Sequence, residues 1–417
     1  MKEIKRDLYL NKLIDRRENG SIKVITGIRR CGTSYLLFNL YYRYLLESGV
    51  PAERIIRIAL DDEEHEELLD GKALGAYVRS LVNGSDQFYV FLDEVQLVNG
   101  FEKVLNGLNR RENLDIYVTG SNSKFLSTDI LTEFRGRGDE VRVYPLSFAE
   151  YVSAYEGTAQ DAWADYFTYG GLPLILSRKT DEQKSKYLTD LFQKVYLDDI
   201  IERNQLRGDS IMDSLVNVLA SSVGSLTNPS KLASTFERRG MGHVSDKTIG
   251  SYIGYLQDAF LIEKAERYDV KGRKHIGSPF KYYFSDVGLR NARLNFRQQE
   301  ENHIMENIIY NELLIRGFNV DVGIVEHPEK KDGKRVLSRY EVDFVCNKGS
   351  QRYYIQSAFA IPDEEKLAQE QRSLLLTGDF FKKIIVTRDA AKPWHNEQGV
   401  LIVNVKDFLL NENSLEL

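Results

Sequence analysis

Residues 27 to 34 read Gly-Ile-Arg-Arg-Cys-Gly-Thr-Ser and match the phosphate-binding pattern G-x-x-x-x-G-K-[ST] at every fixed position except the lysine. Thr33 stands at the lysine position. In the complete pattern, backbone N–H groups at a helix N-terminus surround the phosphates, the lysine contacts the β and γ oxygens, and the last hydroxyl binds Mg²⁺. Gly27, Gly32 and Ser34 retain the first and third roles, so we expect ATP and Mg²⁺ as ligands, bound without the usual ammonium.

The segments on both sides of this loop have the composition of a strand and a helix. Residues 21–26 are rich in β-branched side chains, and residues 35–41 space their apolar side chains as a helix does. A strand, a loop and a helix in this order are what the phosphate-binding pattern requires. The alternative is a Gly-rich turn that matches by chance, and the strands that follow argue against it.

Four more short runs of β-branched and aromatic residues follow within the first 150 residues. They are residues 55–60, 88–92, 116–119 and 140–144. Because spacers of helix length separate these runs, the pattern predicts an α/β fold, a P-loop NTPase parallel sheet that binds ligands at its carboxyl edge.

Polar residues follow two of these strands. Asp93 and Glu94 end the run 88–92, where Asp93 is a candidate Mg²⁺ ligand and Glu94 a candidate base for the attacking water. Asn122 follows the next strand and is a candidate to contact the γ-phosphate or to position the same water. The alternatives are that Asp93 and Glu94 begin a solvated turn and that Asn122 is an ordinary loop residue.

Several motifs along the chain carry a specific resemblance. They are Thr26–Gly32, Phe91–Gln96, Thr119–Asn122, Phe134–Arg137 followed by Tyr144–Tyr151, and Tyr169–Pro173. Together they resemble, nearly end to end, the prokaryotic AAA-type ATPases that carry a C-terminal domain of unknown function. The resemblance implies that Arg135 and Arg137 lie near the nucleotide as a γ-phosphate sensor or finger. A solvated basic turn is the alternative for these two arginines.

The loop itself departs from that family. Its members end the loop in Gly-Lys-Ser or Gly-Lys-Thr, so Thr33 bears on hydrolysis more than on fold. Arg29 or Arg30 is a candidate to replace part of the missing charge. Cys31 also belongs to the loop, either as an oxidisable thiol activated by the helix N-terminus or as a passive small side chain, which is the interpretation we favour.

Composition places the chain among large soluble proteins. It has 417 residues, of which 42% are hydrophobic and 28% charged, enough for two or three domains with cores of their own. No run of eighteen apolar residues occurs, and the N-terminus lacks a signal-peptide core, so we expect a cytoplasmic protein that makes no membrane contact. With only two cysteines, a disulfide framework is excluded.

The patterns divide the chain into four parts. We predict a nucleotide-binding domain at 1–150, a helical lid or connector at 151–228, a basic winged-helix module at 229–297 and a second α/β, nuclease-like domain at 298–417. Amphipathic stretches such as 184–197 support the lid, and the Gly-Gly-Leu-Pro turn at 170–173 predicts a helix break.

The segment 229–297 is basic within an acidic chain. It holds thirteen Lys and Arg against seven Asp and Glu, a net charge of +6, whereas the whole chain is net −6. This asymmetry indicates a polyanion as partner. In a winged helix, Lys247 would lie near the start of the recognition-type helix, and Lys271, Arg273 and Lys274 would lie on the wing turn, where they could hold phosphates of double-stranded DNA. Contact with another protein is the alternative.

The last part resembles the restriction-endonuclease core, in which an Asp on one strand and an acid-x-Lys on the next bind Mg²⁺ and activate water. Asp343 matches the first position, but Gln356-Ser357-Ala358 supplies neither the acid nor the lysine. With Asp343 assisted at most by Glu306 or Glu312, we expect a scaffold that has lost cleavage.

Three hypotheses about function follow. The chain is an ATP-binding AAA-type protein for nucleotide-dependent remodelling or sensing on DNA, with hydrolysis impaired by Thr33. Alternatively, it is a pseudo-ATPase that uses the nucleotide as a structural or signalling ligand. The third hypothesis is a DNA-binding module whose nucleotide site is vestigial.

Overall fold

The computed structural model describes residues 3–120, 134, 136–206, 209–238, 240, 243–297, 300–331 and 334–417. These residues form two compact units. The N-terminal unit is Glu3–Pro145 with Asp258–Phe260, and the C-terminal unit comprises Leu146–Gln257 and Leu261–Leu417.

The N-terminal unit is built on a five-stranded sheet in the order β2-β3-β4-β1-β5, in which every pair of neighbours is parallel. Its strands are β1 Ile22–Gly27, β2 Ile55–Ala59, β3 Phe88–Asp93, β4 Leu114–Gly120 and β5 Gly138–Val143. Every residue of β1, β3 and β4 is buried, as expected for parallel strands covered on both faces. The five runs predicted as strands are therefore confirmed.

Four helical elements surround this sheet. They are α1 Asp7–Ile14, α2 formed by Thr33–Tyr35, the π-helical turn Leu36–Tyr41 and Tyr42–Glu47, α3 Gly71–Leu81, and α4 Phe101–Leu108. Short 3-10 turns lie at Ala52–Arg54, Glu63–Leu69 and Val95–Leu97. The Asp70 side chain begins α3 by accepting hydrogen bonds from the N–H groups of Lys72 and Ala73, both at 3.0 Å.

The two faces of this sheet differ in chemistry. Alternate residues of the first four strands pack with α3 and α4 in an aliphatic cluster that includes Val24, Ile58, Val90, Val118, Leu74 and Leu105. The intervening residues carry aromatic and charged side chains. Tyr41 of α2 packs there on Tyr117 with ring centroids 4.9 Å apart, and their hydroxyl groups are 2.6 Å apart. Lys23 and Asp115 form a buried ion pair on the same face.

The C-terminal unit begins with helices. They are α5 Phe148–Ala154, α6 Ala159–Tyr169, α7 formed by Asp181–Leu191, the π-helical turn Phe192–Leu197 and Asp198–Arg203, α8 Asp209–Ser221, α9 Pro229–Arg238 and α10 Asp246–Asp258. Ser147 and Thr158 each begin a helix with a capping box. Gly170 follows α6 with φ 74°, and the 3-10 turn Pro173–Ser177 comes next, so the predicted helix break is confirmed.

An eight-stranded mixed sheet forms the rest of this unit, in the order β12-β13-β11-β10-β9-β8-β6-β7. Its strands are β6 Ile262–Asp269, β7 Lys274–Phe284, β8 Asn319–Lys331, β9 Lys334–Lys348, β10 Gln351–Ala358, β11 Lys382–Thr387, β12 Trp394–His395 and β13 Leu401–Asn404. The accompanying helices are α11 Val287–Arg293, α12 Glu301–Ile315, α13 Glu364–Leu375 and α14 Val405–Leu410.

The predicted basic module has the expected order of elements: α9, α10 and the hairpin β6–β7. The Ser245 hydroxyl accepts a hydrogen bond from the Thr248 N–H at 3.1 Å and so begins α10, as predicted. The hairpin, however, also pairs through β6 with β8 and belongs to the eight-stranded sheet. The winged-helix assignment and the boundaries at 228 and 297, which lie inside this unit, stay predictions. No helix in the described part of the chain has the length and apolar character needed to cross a bilayer.

Candidate functional site

The loop after β1 is shaped by two glycines. A Cβ atom on Gly27 would lie 2.3 Å from the carbonyl oxygen of Val143 on β5 and 2.7 Å from the Cys31 sulfur, so no larger residue fits there. Gly32 has φ 101°, a conformation that favours glycine, and it directly precedes α2. The first glycine therefore serves the close approach of neighbouring strands, and the second serves the turn into the helix.

Cys31 lies beneath the loop and not on its open side. Its side chain is fully buried, its sulfur is 3.5 Å from the Val143 carbonyl oxygen, and burial raises the pKa of its thiol to about 11. Arg6, which is also buried, donates to the Cys31 carbonyl oxygen at 3.3 Å and to that of Tyr144 at 2.6 Å. The alternative of a thiol activated by the helix N-terminus is therefore wrong, and the small passive side chain fits.

Ser34 and Asp93 meet at the carboxyl edge of the sheet. The Ser34 hydroxyl donates to Asp93 Oδ1 at 3.0 Å, although β4 lies between β3 and β1 in the sheet. Thr119 of β4 bridges this gap, because its hydroxyl also donates to Asp93 Oδ1. Burial raises the pKa of Asp93 above its ordinary value, and the two hydroxyl donors partly offset this effect.

Glu94 adopts an unusual backbone conformation beside this pair. Its φ is 51°, in the left-handed region, and its N–H donates to the Thr119 hydroxyl oxygen at 3.2 Å. The Gln96 side-chain amide donates to Glu94 Oε2, which orients a half-buried carboxylate at the sheet edge. Asp93 and Glu94 are thus held in different directions by one hydroxyl and one amide.

The remaining predicted residues of this site vary in position. Arg30 is exposed with φ 69°, Arg29 and Thr33 are half-buried, and Arg137 is exposed. The backbone of Arg137 is fixed, since its N–H donates to Phe134 O at 2.9 Å and its carbonyl accepts from the Ile22 N–H at 2.8 Å. Asn122 and Arg135 lie outside the described residues.

The donors present fit Mg²⁺ bound to a nucleotide in part. A serine hydroxyl and a buried carboxylate within hydrogen-bonding distance of each other offer the oxygen ligands that Mg²⁺ prefers. The loop and the helix after it have the geometry that receives phosphate. At position 33 the loop offers a hydroxyl where a charge would contact the β and γ oxygens.

The predicted DNA-contacting residues lie on the surface. Lys247 is exposed near the start of α10, and Lys271, Arg273 and Lys274 are exposed on the turn between β6 and β7. The Lys271 ammonium donates to the Glu326 carbonyl oxygen at 3.2 Å. These four cations are placed where solvent, and therefore a polyanion, can approach them.

The charge count of this segment overstates its basic surface. Three of its thirteen cations, Arg267, Lys281 and Arg290, are buried. Arg290, for example, donates to the Ala220 carbonyl oxygen at 2.9 Å and to Glu300 at 3.0 Å. A cation whose charge is compensated inside the fold adds nothing to the attraction of a polyanion.

One of those buried cations lies in the nuclease-like region. Lys281 of β7 places its ammonium 2.8 Å from Glu306 of α12, 2.8 Å from Glu341 and 3.6 Å from Asp343, the last two on β9. The lysine side chain is 4% exposed. The sequence pattern predicts Asp343 and Glu306 together, but it indicates neither Glu341 nor Lys281, which gives the site its positive charge.

Two other predicted residues serve the fold. Glu312 is 2.8 Å from Arg316 one helical turn later, whereas the three acids around Lys281 are Glu306, Glu341 and Asp343, so the predicted help of Glu312 to Asp343 is not supported. Gln356, at the position of the missing acid, accepts from the Asp343 N–H at 3.3 Å and from the Ser373 hydroxyl at 3.4 Å. It therefore joins β9, β10 and α13 through its amide oxygen.

Burial and charge act in opposite directions on the acids of this cluster. Burial opposes ionisation of Glu306, but the Lys281 ammonium and hydrogen bonds from His303 and Tyr283 hold the pKa of Glu306 below its usual range. Burial, with the neighbouring Glu306 carboxylate, raises the pKa of Asp343 above its usual range. Burial also opposes the charge on Lys281, but its three carboxylates raise the pKa of Lys281 above its ordinary value.

Two family profiles match the chain. One, described as an AAA domain, matches residues 19–152, and the other, described as a domain of unknown function (DUF8612), matches residues 160–300. The first match covers β1, the loop after it and the Asp93–Glu94 pair.

Two relatives of similar length have no described function. An uncharacterized protein of Haemophilus influenzae is 34% identical over 414 residues, which is 98% of each chain. An uncharacterized protein of Methanocaldococcus jannaschii is 28% identical over 381 residues, 88% of this chain and 79% of that protein.

Among solved structures, the chain is similar at a low level to the Orc1 protein of Aeropyrum pernix in complex with DNA. The identity is 12% and the TM-score 0.30, with 70% of this chain and 92% of that chain covered. A DNA polymerase III gamma subunit-related protein of Thermotoga maritima gives 14% identity and a TM-score of 0.28, with 60% and 97% covered.

Proposed function

Because the chain belongs to the family of the uncharacterized Haemophilus influenzae protein and carries an AAA domain over residues 19–152, we propose that it is an ATP-binding protein whose hydrolysis is impaired by Thr33. Its role is nucleotide-dependent remodelling or sensing, exerted on DNA. The alternative is a pseudo-ATPase, in which ATP is a structural or signalling ligand.

The observation that carries this proposal is the hydrogen bond between Ser34 and Asp93. At 3.0 Å it joins the end of the phosphate loop to the end of β3, two elements that are separated by β4 in the sheet. A hydroxyl and a carboxylate held together in this way are suited to Mg²⁺, which would neutralise charge on the nucleotide phosphates. We propose Ser34 and Asp93 as the residues that hold it.

The other residues would divide the remaining tasks. The backbone of 27–34 surrounds the phosphates, and Arg29 or Arg30 supplies part of the charge that Thr33 lacks. Glu94, oriented by the Gln96 amide, takes a proton from the attacking water. The residues proposed to contact the γ-phosphate region are Arg135, Arg137 and Asn122.

Nucleotide binding and turnover must be measured on the same preparation. We expect ATP to bind in an Mg²⁺-dependent manner and phosphate release to be slow but to depend on Glu94. Mg²⁺-dependent binding with no release above that of Glu94→Gln would favour the pseudo-ATPase. An absence of binding with and without Mg²⁺ would leave only the vestigial nucleotide site.

DNA contact is the finer part of the proposal, and the exposed cations of α10 and the β6–β7 turn support it. Lys247, Lys271, Arg273 and Lys274 are all exposed, in a segment whose helices and hairpin have the order of a winged helix. Cations on such a turn contact the phosphate backbone without reading the sequence.

Neutralising the turn should weaken DNA binding regardless of DNA sequence. In a triple variant, Lys271→Gln, Arg273→Gln and Lys274→Gln, we expect lower affinity for every duplex and a flatter dependence of log K on log salt, by roughly one unit of slope for each phosphate that the protein no longer neutralises. Fluorescence anisotropy between about 50 and 200 mM salt measures both quantities. Lys179→Gln, a change to another lysine of the same unit outside this segment, is the control. Unchanged affinity and slope in the triple variant would remove DNA contact by this turn.

The nuclease-like region should not cut nucleic acid. Gln356 and Ala358 occupy the positions where that pattern requires an acid and a lysine. We therefore expect neither plasmid nor single-stranded DNA to be cleaved with Mg²⁺ or Mn²⁺, as judged by gel electrophoresis. Metal-dependent nicking that disappears in Asp343→Ala would contradict this expectation.

A further inference from the structure

Lys281 is surrounded by three carboxylates that come from two other elements. Glu306 belongs to α12, whereas Glu341 and Asp343 belong to β9. The side chains of Asp343 and Glu306 are 10% and 11% exposed, and that of Glu341 is 34% exposed, so the cluster meets solvent mainly through Glu341. An ammonium buried to this degree is stable only because the carboxylates compensate its charge.

The two most buried carboxylates are held in place by groups other than the lysine. Glu306 Oε1 accepts from the Tyr283 hydroxyl at 2.7 Å as well as from Lys281. Asp343 Oδ2 accepts from the Ser357 N–H at 2.9 Å, while its Oδ1 is the atom 3.6 Å from the ammonium. The positions of these oxygens are therefore fixed by Tyr283 and by β10, and they would persist if the ammonium were absent.

This arrangement does not fit the divalent cation that the nuclease-like resemblance implies. Mg²⁺ and Ca²⁺ bind carboxylate oxygens at roughly 2.0–2.6 Å, and a second cation in contact with the same oxygens would meet the charge of the ammonium. The Gln356 amide oxygen is already occupied by Asp343 N–H and the Ser373 hydroxyl. Among the described residues, no three His, Cys, Asp or Glu side chains are grouped so that they could hold a metal ion.

We infer that the Lys281 ammonium is the resident cation of this carboxylate centre and replaces the divalent ion, so that removal of the lysine creates a divalent-cation site on Glu306, Glu341 and Asp343. The centre would then tie β7 to α12 and β9 by charge, in the way a structural metal ties its ligands. This inference concerns the C-terminal unit and does not rest on the proposed nucleotide chemistry.

A different interpretation of the same geometry has an opposite consequence. If Lys281 assisted hydrolysis at a metal centre, the metal would bind while the lysine is present, and Asp343 would be one of its ligands. Metal binding by the native chain therefore distinguishes a resident ammonium from a catalytic lysine.

The experiment counts Mn²⁺ ions bound to the full-length, nucleotide-free chain by electron paramagnetic resonance of free Mn²⁺. We expect the native chain and Asp343→Asn to bind the same number. Lys281→Ala should bind one additional ion, which is lost again when Asp343→Asn is added. Lys264→Ala, which removes a partly exposed lysine 2.7 Å from Glu266 on the neighbouring strand, is the matched control and should gain no ion.

Two results would overturn the inference. One is a native chain that loses an ion on Asp343→Asn, because the metal would then bind beside the lysine. The other is a folded Lys281→Ala chain with no additional ion. If Lys281→Ala does not fold without metal, refolding on addition of Mn²⁺ supports the inference. If the variant stays unfolded with Mn²⁺, the comparison of the native chain with Asp343→Asn decides alone.

Discussion

Thr33→Lys is expected to raise the rate of phosphate release from saturating Mg-ATP by on the order of 10²-fold or more over the native chain. A lysine at this position stabilises the charge that builds on the β and γ oxygens during transfer, while the backbone N–H groups of the loop preserve part of the ground-state binding. The change should therefore act on turnover more than on affinity. Thr33 is half-buried in the first turn of α2, at the position from which a longer side chain extends toward the phosphates.

Two controls separate charge from other effects of this substitution. Thr33→Met adds a side chain of similar length without charge and should not raise the rate. Glu94→Gln in the Thr33→Lys background should abolish the gain, because the carboxylate that takes the proton from water would be missing.

Two outcomes would contradict the account of Thr33. If the native chain already turns over like the lysine variant, another cation supplies the charge, with Arg29 and Arg30 as the first candidates. If neither form turns over although both bind Mg-ATP, the defect lies beyond Thr33. A joint test of Ser34→Ala and Asp93→Asn would then locate it.

The N-terminal sheet is predictable from the sequence because its signals are local. Each strand is a short buried run bounded by polar or glycine residues, and a parallel sheet covered on both faces requires such runs. The meeting of Ser34 with Asp93 follows from the rule that the carboxyl ends of parallel strands share one edge. Thr119 belongs to one of the resemblance motifs, but its bridging hydroxyl becomes visible only with the strand order.

Contacts between residues distant in sequence are not predictable in this way. Arg6 fixes the loop through two carbonyl oxygens, one of them 138 residues away in sequence, and nothing in its neighbours indicates this. Lys281 counts among the basic residues of a predicted surface module, whereas it is buried among acids. A charge count treats every ionisable residue as exposed, so it fails where a cation has found its partners inside the fold.

The hairpin β6–β7 illustrates the same limit at the level of topology. Its two strands and its turn follow from composition, since Lys271 to Lys274 form a polar turn between β-rich runs. Its place in the larger sheet depends on the parallel pairing of Arg267 with Val322, which lie 55 residues apart. Single-chain patterns specify which residues form strands more strongly than they specify which strands pair.

A buried ion pair beneath the N-terminal sheet offers a large effect on stability. Lys23 of β1 is fully buried and contacts Asp115 of β4, whose other carboxylate oxygen accepts from the Tyr117 hydroxyl at 2.7 Å and from the Glu18 N–H at 2.9 Å. The pair thus links two neighbouring strands on the aromatic face of the sheet.

Lys23→Met should lower the free energy of unfolding of the N-terminal unit by about 3–5 kcal/mol, because it leaves the Asp115 carboxylate buried without its cation. Lys23→Met combined with Asp115→Asn should recover most of this loss, since the uncompensated charge is then gone. Arg54→Met, which breaks the exposed pair with Asp86, is the matched control and should change stability by about 1 kcal/mol or less. Both tryptophans, Trp163 and Trp394, belong to the C-terminal unit, so their fluorescence would follow the wrong part of the chain. Hydrogen exchange of the β1 and β4 amides against denaturant reports the N-terminal unit directly. A single variant as stable as the native chain, or a double variant no better than the single one, would mean that Tyr117 and Glu18 hold the Asp115 carboxylate without help from the lysine.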